Sequence, residues 1–311
     1  MISGSRSLGT LALITTAALW GSNHVVARAV REIVPLPSLV FWRWLLAATA
    51  LTLIAWPSCR SAWPEIRPRL MELSIGGAVG VGIFSYLLIG GAYYSLAIEV
   101  GFINATTPMW VLLIAVLTGR RSTDDAIRPL AIGGLALAFF GTILIITKGH
   151  VEAITAFQFN LGNLWSLLAA IAFAWFSLRV RDWSRTIAPL PLTVVTGWAG
   201  VLLVMLPVYL VWILSGGAWF SSDSASLSHA LITIAYTGLA PTMLGNLFYL
   251  FGVTINGPAQ AAMFLYLSPL FSAALAIAWL GERIAWFHFA GVVAILLGLY
   301  LVNRSEKKPG G

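Results

Sequence analysis

With 59% hydrophobic residues, 9% charged residues and a mean hydropathy of +0.90, this 311-residue chain has too little charge to cover a water-facing surface, since soluble domains carry about 25% charged residues. A soluble globular fold is excluded, and lipid becomes the solvent for most of the surface. The net charge of +7 invites a nucleic-acid reading, but its placement along the chain makes it a membrane-topology signal, and no nucleic-acid partner is expected.

Runs of about 20 apolar residues cross the ~30 Å hydrocarbon layer as helices. Charge-poor runs of this kind occupy 8–28, 36–56, 73–98, 100–118, 129–147, 161–178, 190–214, 229–255, 258–280 and 284–302. None alternates with period 2, and only a helix satisfies its own backbone in lipid. The expected fold class is an all-α membrane protein of ten transmembrane helices.

The first span follows Arg6 in the manner of a signal peptide, but no small-x-small cleavage pattern follows Leu19, so the helix is expected to be kept. Trp20 lies mid-helix, away from the interfacial belts where tryptophan concentrates, and Asn23 and His24 stand about one turn from the outer end. In the second span Arg43 is the only charged residue well inside a helix. It snorkels outward, bonds carbonyls as a scaffold, or binds a substrate carboxylate. The third span combines Gly76, Gly77, Gly80, Gly82, Gly90 and Gly91 with Tyr86 and Tyr93; the eighth combines Gly238, Pro241, Gly245 and Gly252 with Asn246 and Tyr249. Their glycines serve close packing, bending, or both. In the fourth span Pro108 frees the carbonyl of Asn104 one turn earlier, and in the ninth Pro269 frees that of Leu265. Matched interruptions are packing kinks or markers of a binding site. In the sixth span Trp175 repeats the placement of Trp20. Two indoles facing one cavity would offer stacking surfaces to an aromatic substrate, with plain helix packing as the alternative. Asn23, His24 and Asn104 are expected to face protein or a wet cavity, because unsatisfied polar groups are costly in hydrocarbon.

Trp20 and Ser22 recur as Trp175 and Ser177, 155 residues later, and Pro37 and Trp44 as Pro191 and Trp198, 154 later. Gly134 and Gly141 recur as Gly291 and Gly298, 157 later. A collinear series at near-constant offset divides the chain into two five-helix repeats, 1–150 and 151–311. An odd number of spans per repeat forces the second to insert upside down. The charges agree: with a cytoplasmic N-terminus, thirteen of the eighteen Lys and Arg lie on the inside, four on the outside, and Arg43 within a span. Loops 57–70 and 119–128 carry three Arg each, while their counterparts 215–228 and 281–283 carry none and one. Inverted repeats are a recurring plan of secondary transporters, with substrate near the midplane between halves.

Ala18-Leu-Trp-Gly-Ser22, Pro37 with Arg43, Ser268-Pro-Leu270, Leu280-Gly-Glu-Arg283, and Gly291 with Gly298 together resemble the EamA family of the drug/metabolite transporter superfamily over nearly the whole chain. Ala97-Ile-Glu-Val-Gly101 with Pro108 is similar to the YddG-type aromatic amino acid exporters within it. Gly119-Arg120 departs from the pattern where the second half has Gly281-Glu282. The resemblance implies a bacterial inner-membrane protein in which helices 1–4 and 6–9 surround a central cavity while 5 and 10 pack peripherally.

The expected function is export of small organic metabolites, amino acids with aromatic ones favoured, by alternating access. The alternative is an EamA-type exporter of a drug, nucleoside or sugar derivative. The partners are then a small-molecule substrate and the lipid bilayer. The lone Cys59 and the scattered histidines 24, 150, 229 and 288 give no metal-ligand spacing, so no cofactor is expected. No nucleophile–base pair or paired carboxylates speak for an enzyme, and a non-transporting scaffold would not need matched midspan prolines. All eleven acids, Glu99 among them, fall in loops or near span ends. That leaves His24 as the internal candidate for proton coupling, with gradient-driven facilitated transport favoured.

The charge asymmetry makes a direct prediction. Cys59, in a loop read as cytoplasmic, should react with impermeant thiol reagents in inside-out vesicles and not in intact cells. Labelling of the folded protein from outside cells would reverse the orientation.

Overall fold

The computed structural model describes residues 2–119, 129–150, 160–220, 224–256, 261 and 264–306, and these are helical apart from short turns and loops. The expectations placed on Arg120, Arg121, Arg128, Asp124, Asp125, Glu152, Asp223, Lys307 and Lys308 lie outside them. In chain order the helices are α1 (Ile2–Ala29), α2 (Leu36–Ser61), α3 (Trp63–Tyr94), α4 (Ala97–Leu117), α5 (Pro129–Ile146), α6 (Leu161–Trp183), α7 (Pro189–Leu214), α8 (Leu227–Asn256), α9 (Leu267–Leu280) and α10 (Trp286–Glu306). Among the described residues six of these, α2, α3, α4, α6, α7 and α8, are long and apolar enough to cross a membrane. The apolar stretches 136–146, 267–280 and 286–298 are shorter.

Local chemistry sets the ends. Pro37 and Pro191 lie in the first turns of α2 and α7, where a missing N–H costs nothing. Asn160 caps α6 by accepting from Gly162 N at 2.8 Å. Gly281 closes α9 at φ +66, in the left-handed region.

The helices pack in corresponding sets. α1 lies against α8 and α9, and α6 lies against α3 and α4, the same relation moved on by five helices. α2 and α7 touch each other; α4 meets α9, and α5 meets α10. One core cluster joins α1, α2, α3 and α7 through Ala27, Leu39, Phe41, Ile89, Val201 and Tyr209. A second joins α4, α5, α9 and α10 through Ile98, Ile103, Ile145, Ala276 and Ile295.

The α5–α10 pair explains its glycines. A Cβ on Gly141 would strike the carbonyl oxygen of Gly291, and one on Gly298 would strike that of Gly134. The four glycines that recur at the 157-residue offset therefore meet crosswise, Gly141 on Gly291 and Gly134 on Gly298.

Two polar seams fix the ends of the bundle. At one end Tyr93 Oη donates to Val34 O at 2.8 Å, and the Glu282 carboxylate accepts from Ala97 N and Ile98 N at 3.0 and 3.1 Å. The α1–α2, α3–α4 and α9–α10 connections thus gather at this glutamate end. At the other end Arg69 donates to Thr186 Oγ1 at 2.8 Å and Arg179 pairs with Glu72 at 3.7 Å.

Because backbone faces backbone at Gly141, replacing it by leucine should destabilise the protein by about 1–3 kcal/mol. Thermal unfolding in detergent checks this. The midpoint should fall for Gly141→Leu and stay at or slightly above wild type for Gly133→Ala, at a helical position with no neighbour within 4 Å. Equal midpoints for Gly141→Leu and wild type would contradict the crossing.

Candidate functional site

Regular hydrogen bonding breaks in both Gly-rich helices and also in α7, where no bend was expected. In α3 the turn Ala78–Ile83 and in α8 the turn Gly238–Leu244 are wound as π-helix, as is Val201–Met205 in α7. Such insertions shift carbonyls out of the i→i−4 ladder and recur at functional sites. In lipid each displaced carbonyl needs a partner.

In α8 the partners are side chains. Pro241 leaves Thr237 O without its usual donor, and the Thr242 hydroxyl donates to it at 2.6 Å. Pro241 O accepts from the indole Nε1 of Trp20 at 3.0 Å, and Thr242 O accepts from Asn246 Nδ2. Gly245 O accepts from Thr16 Oγ1 at 3.2 Å. Trp20 also lies against the ring of Tyr249, centroids 5.4 Å apart. A Cβ on Gly245 would come within 2.6 Å of Trp20 Nε1, so the indole requires glycine there. Trp20, Asn246 and Tyr249 are therefore brought to one place, the irregular turn of α8 facing α1. In α3 the irregular turn is closed by packing instead: Cβ atoms on Gly76 and Gly80 would strike the rings of Trp183 and Phe176. Tyr86 Oη reaches Met205 O in the α7 irregular turn at 3.5 Å.

The two midspan prolines have one geometry. α4 is interrupted by a turn at Ala105–Thr106, with Pro108 in the first turn that follows, and Pro269 follows the turn at Tyr266 in the same way. The Asn104 carbonyl freed by Pro108 accepts from Thr107 Oγ1 at 2.7 Å, while Asn104 Nδ2 donates to Val100 O at 3.0 Å. Pro108 is exposed and Pro269 is buried against Gly101.

Around Arg43 a polar cluster sits among apolar helices. Arg43 is 3% exposed and donates through Nη1 to Asn23 Oδ1 at 2.8 Å. Its Nε and the Nδ1 of the neighbouring buried His24 have no hydrogen-bond partner. Of the three roles open to Arg43, outward snorkelling is removed by this burial. Tyr93 is engaged at the glutamate end, with Oη on Val34 O and its carbonyl within 3.4 Å of Arg28 Nη1. Trp175 carries the Arg179 guanidinium over its ring at 5.5 Å, so the two repeated tryptophans have different neighbours.

The sequence reading missed a second polar cluster. It assigned Glu99 to a turn between spans, but α4 begins at Ala97 and Glu99 lies in its first helical turn, wholly buried, beside buried Ser95, Asn163 and His288. An acid in a helix's first turn is a helix-start signal. Its burial was not readable, because the covering residues come from α6 and α10.

Comparisons with known proteins agree with this architecture. A solved crystal structure superposes with a TM-score of 0.60 at 16% identity, covering 98% of this chain and 100% of that one. Bacillus subtilis "Uncharacterized transporter YyaM" is 25% identical over 272 residues, 86% of this chain and 84% of that protein. The Streptantibioticus cattleyicolor "Probable terminal-alkyne amino-acid exporter" is 27% identical over 301 residues, 94% and 92%. The Salmonella typhimurium "Probable amino-acid metabolite efflux pump" is 27% identical over 322 residues, 96% and 95%. The EamA-like transporter family model matches residues 7–147 and again 160–304, and the chain belongs to that family.

Proposed function

We propose that this protein exports amino acids and related small metabolites, aromatic ones favoured, by alternating access between two inverted five-helix repeats. Ten spans, a bacterial inner membrane and cytoplasmic termini complete the reading. Its supports are the five-helix correspondence in packing, the double family match, and relatives whose names include amino-acid exporters. The observation that carries the substrate class is the Trp20–Tyr249 pair beside the irregular turn of α8, one turn from buried Asn23 and His24, with Arg43 bonded to Asn23.

On this reading the aromatic pair stacks the substrate side chain. Arg43, anchored by Asn23 with Nε unpaired, takes the carboxylate. The substrate ammonium meets ring faces and the carbonyls of the irregular turns, including those near Asn104, Asn246 and Pro269. Tyr86, Tyr93, Pro108 and Trp175 complete the proposed lining. Small turns in α3 and α8 that already depart from regular helix are suited to the bending that opens the site to either side.

Counterflow in proteoliposomes loaded with phenylalanine tests this. Trp20→Ala and Trp175→Ala should each slow exchange of phenylalanine roughly 3–10-fold, the range of one lost aromatic contact, and slow alanine exchange less. Trp20→Phe, which keeps a ring and loses the bond to Pro241 O, should retain most activity. Wild-type exchange in both alanine variants would make the tryptophans packing elements. Competition only by nucleosides, sugars or drugs would favour the other exporter reading.

A further inference from the structure

Glu99 is the centre of a buried network that the proposed transport site does not use. One carboxylate oxygen, Oε2, accepts from the Ser95 hydroxyl. The other, Oε1, lies 3.6 Å from Lys148 Nζ and 3.7 Å from His288 Nε2. His288 Nδ1 accepts from Ala285 N at 3.0 Å. That bond places the imidazole proton on Nε2, aimed at Glu99. Ser95 Oγ also contacts the Asn163 side-chain amide. A hydroxyl has one proton, and it cannot serve both the carboxylate and an amide oxygen. Turning the amide so that Nδ2 donates to Ser95 resolves the conflict and gives a partner to Asn163 Nδ2, which otherwise has none. The chain then runs from the Asn163 amide to the Ser95 hydroxyl to the Glu99 carboxylate.

The groups at the Glu99 carboxylate are donors or cations from separate elements, Ser95 between α3 and α4, Lys148 after α5 and His288 on α10, and Asn163 of α6 joins them through Ser95. Arg28 of α1 lies within electrostatic range and pairs with Glu282 at 3.8 Å. From α9 the neighbours are uncharged; Ser272 donates to Ala97 O at 3.2 Å. One anion thus ties the ends of α4, α6 and α10 across both halves of the chain, one turn from the α4–α9 contact at Gly101 and Ser272. We propose that ionised Glu99 is the latch that keeps the glutamate end of the bundle closed, and that protonating it favours opening. This rests on the transporter reading, and it makes Glu99 a positioning residue of the cycle and not a substrate ligand. It also moves proton sensitivity from His24, the sequence candidate, to this end.

The test uses the full chain in membranes with Cys59→Ser and Ser272→Cys, since a thiol at the α4–α9 contact is shielded when that end is closed. Rates of labelling by an impermeant maleimide are measured on intact cells and on inside-out vesicles, normalised to the unfolded protein at each pH. Glu99→Gln should speed labelling about tenfold, equivalent to about 1.4 kcal/mol, at whichever face carries the glutamate end. Acidification of that face should speed labelling in the Glu99 protein and leave the Glu99→Gln protein unchanged. Lys148→Met alters a half-exposed side chain and should give roughly threefold acceleration, which keeps the test decisive if Glu99→Gln fails to accumulate. Unchanged rates in both variants, or the same pH response with and without Glu99, would overturn the latch. Acceleration at the face that carries the glutamate end supports it, acceleration confined to the opposite face would also overturn it, and absence of transport activity would bear on the exporter reading alone.

Discussion

Within hydrocarbon there is no water to bond a backbone group that leaves the helical ladder, and this constraint accounts for the positions of several polar side chains here. The irregular turn of α8 displaces the carbonyls of Thr237, Pro241 and Thr242, and Thr242, Trp20 and Asn246 return a donor to each. The break before Pro108 frees Asn104 O, and Thr107 answers it. The buried N–H groups at the start of α4, which have no intrahelical acceptor, find the Glu282 carboxylate, supplied from the far end of the chain. That bond gives Leu280-Gly-Glu-Arg283 a physical role, because the left-handed glycine ends α9 and aims the next residue at a neighbouring helix start.

These repairs are local and involve few groups, so they can be exchanged. A helix held by its own ladder resists bending, whereas a π-turn whose carbonyls are bonded by side chains of another helix can trade those partners as helices move. The three irregular turns lie in α3, α7 and α8, and the two proline breaks lie in α4 and α9. The α5–α10 pair contains neither and is locked by backbone contact at its glycines. Among the described residues a rigid pair thus stands beside five helices with built-in points of flexure.

Much of the fold was legible because the signals are one-dimensional. Hydropathy located the helices to within a few residues at most ends, and the starts at Leu36 and Leu161 and the end at Leu280 coincide with the residues read from sequence. The glycine-rich character of the third and eighth spans located two irregular turns, and the glycines that recur 157 residues apart proved to line the α5–α10 crossing. What was not legible depends on neighbours distant in sequence. Glu99 reads as a turn residue until Asn163, Lys148 and His288 are placed around it. Arg43 admits three roles until its burial against Asn23 is seen. Trp20 and Trp175 look equivalent as a repeated pair, yet one bonds a carbonyl and the other carries a guanidinium.

The central claim is that the contact between α4 and α9 at the glutamate end must open during transport. A Cβ built on Gly101 lies 3.2 Å from Ser272 Cβ, close to the ~3.5–4.5 Å that a disulfide needs. In a Cys59→Ser background, Gly101→Cys with Ser272→Cys can therefore be cross-linked by mild oxidation. Substrate exchange in proteoliposomes should stop as the cross-link forms and return on reduction. Undiminished exchange with the cross-link complete would contradict the account.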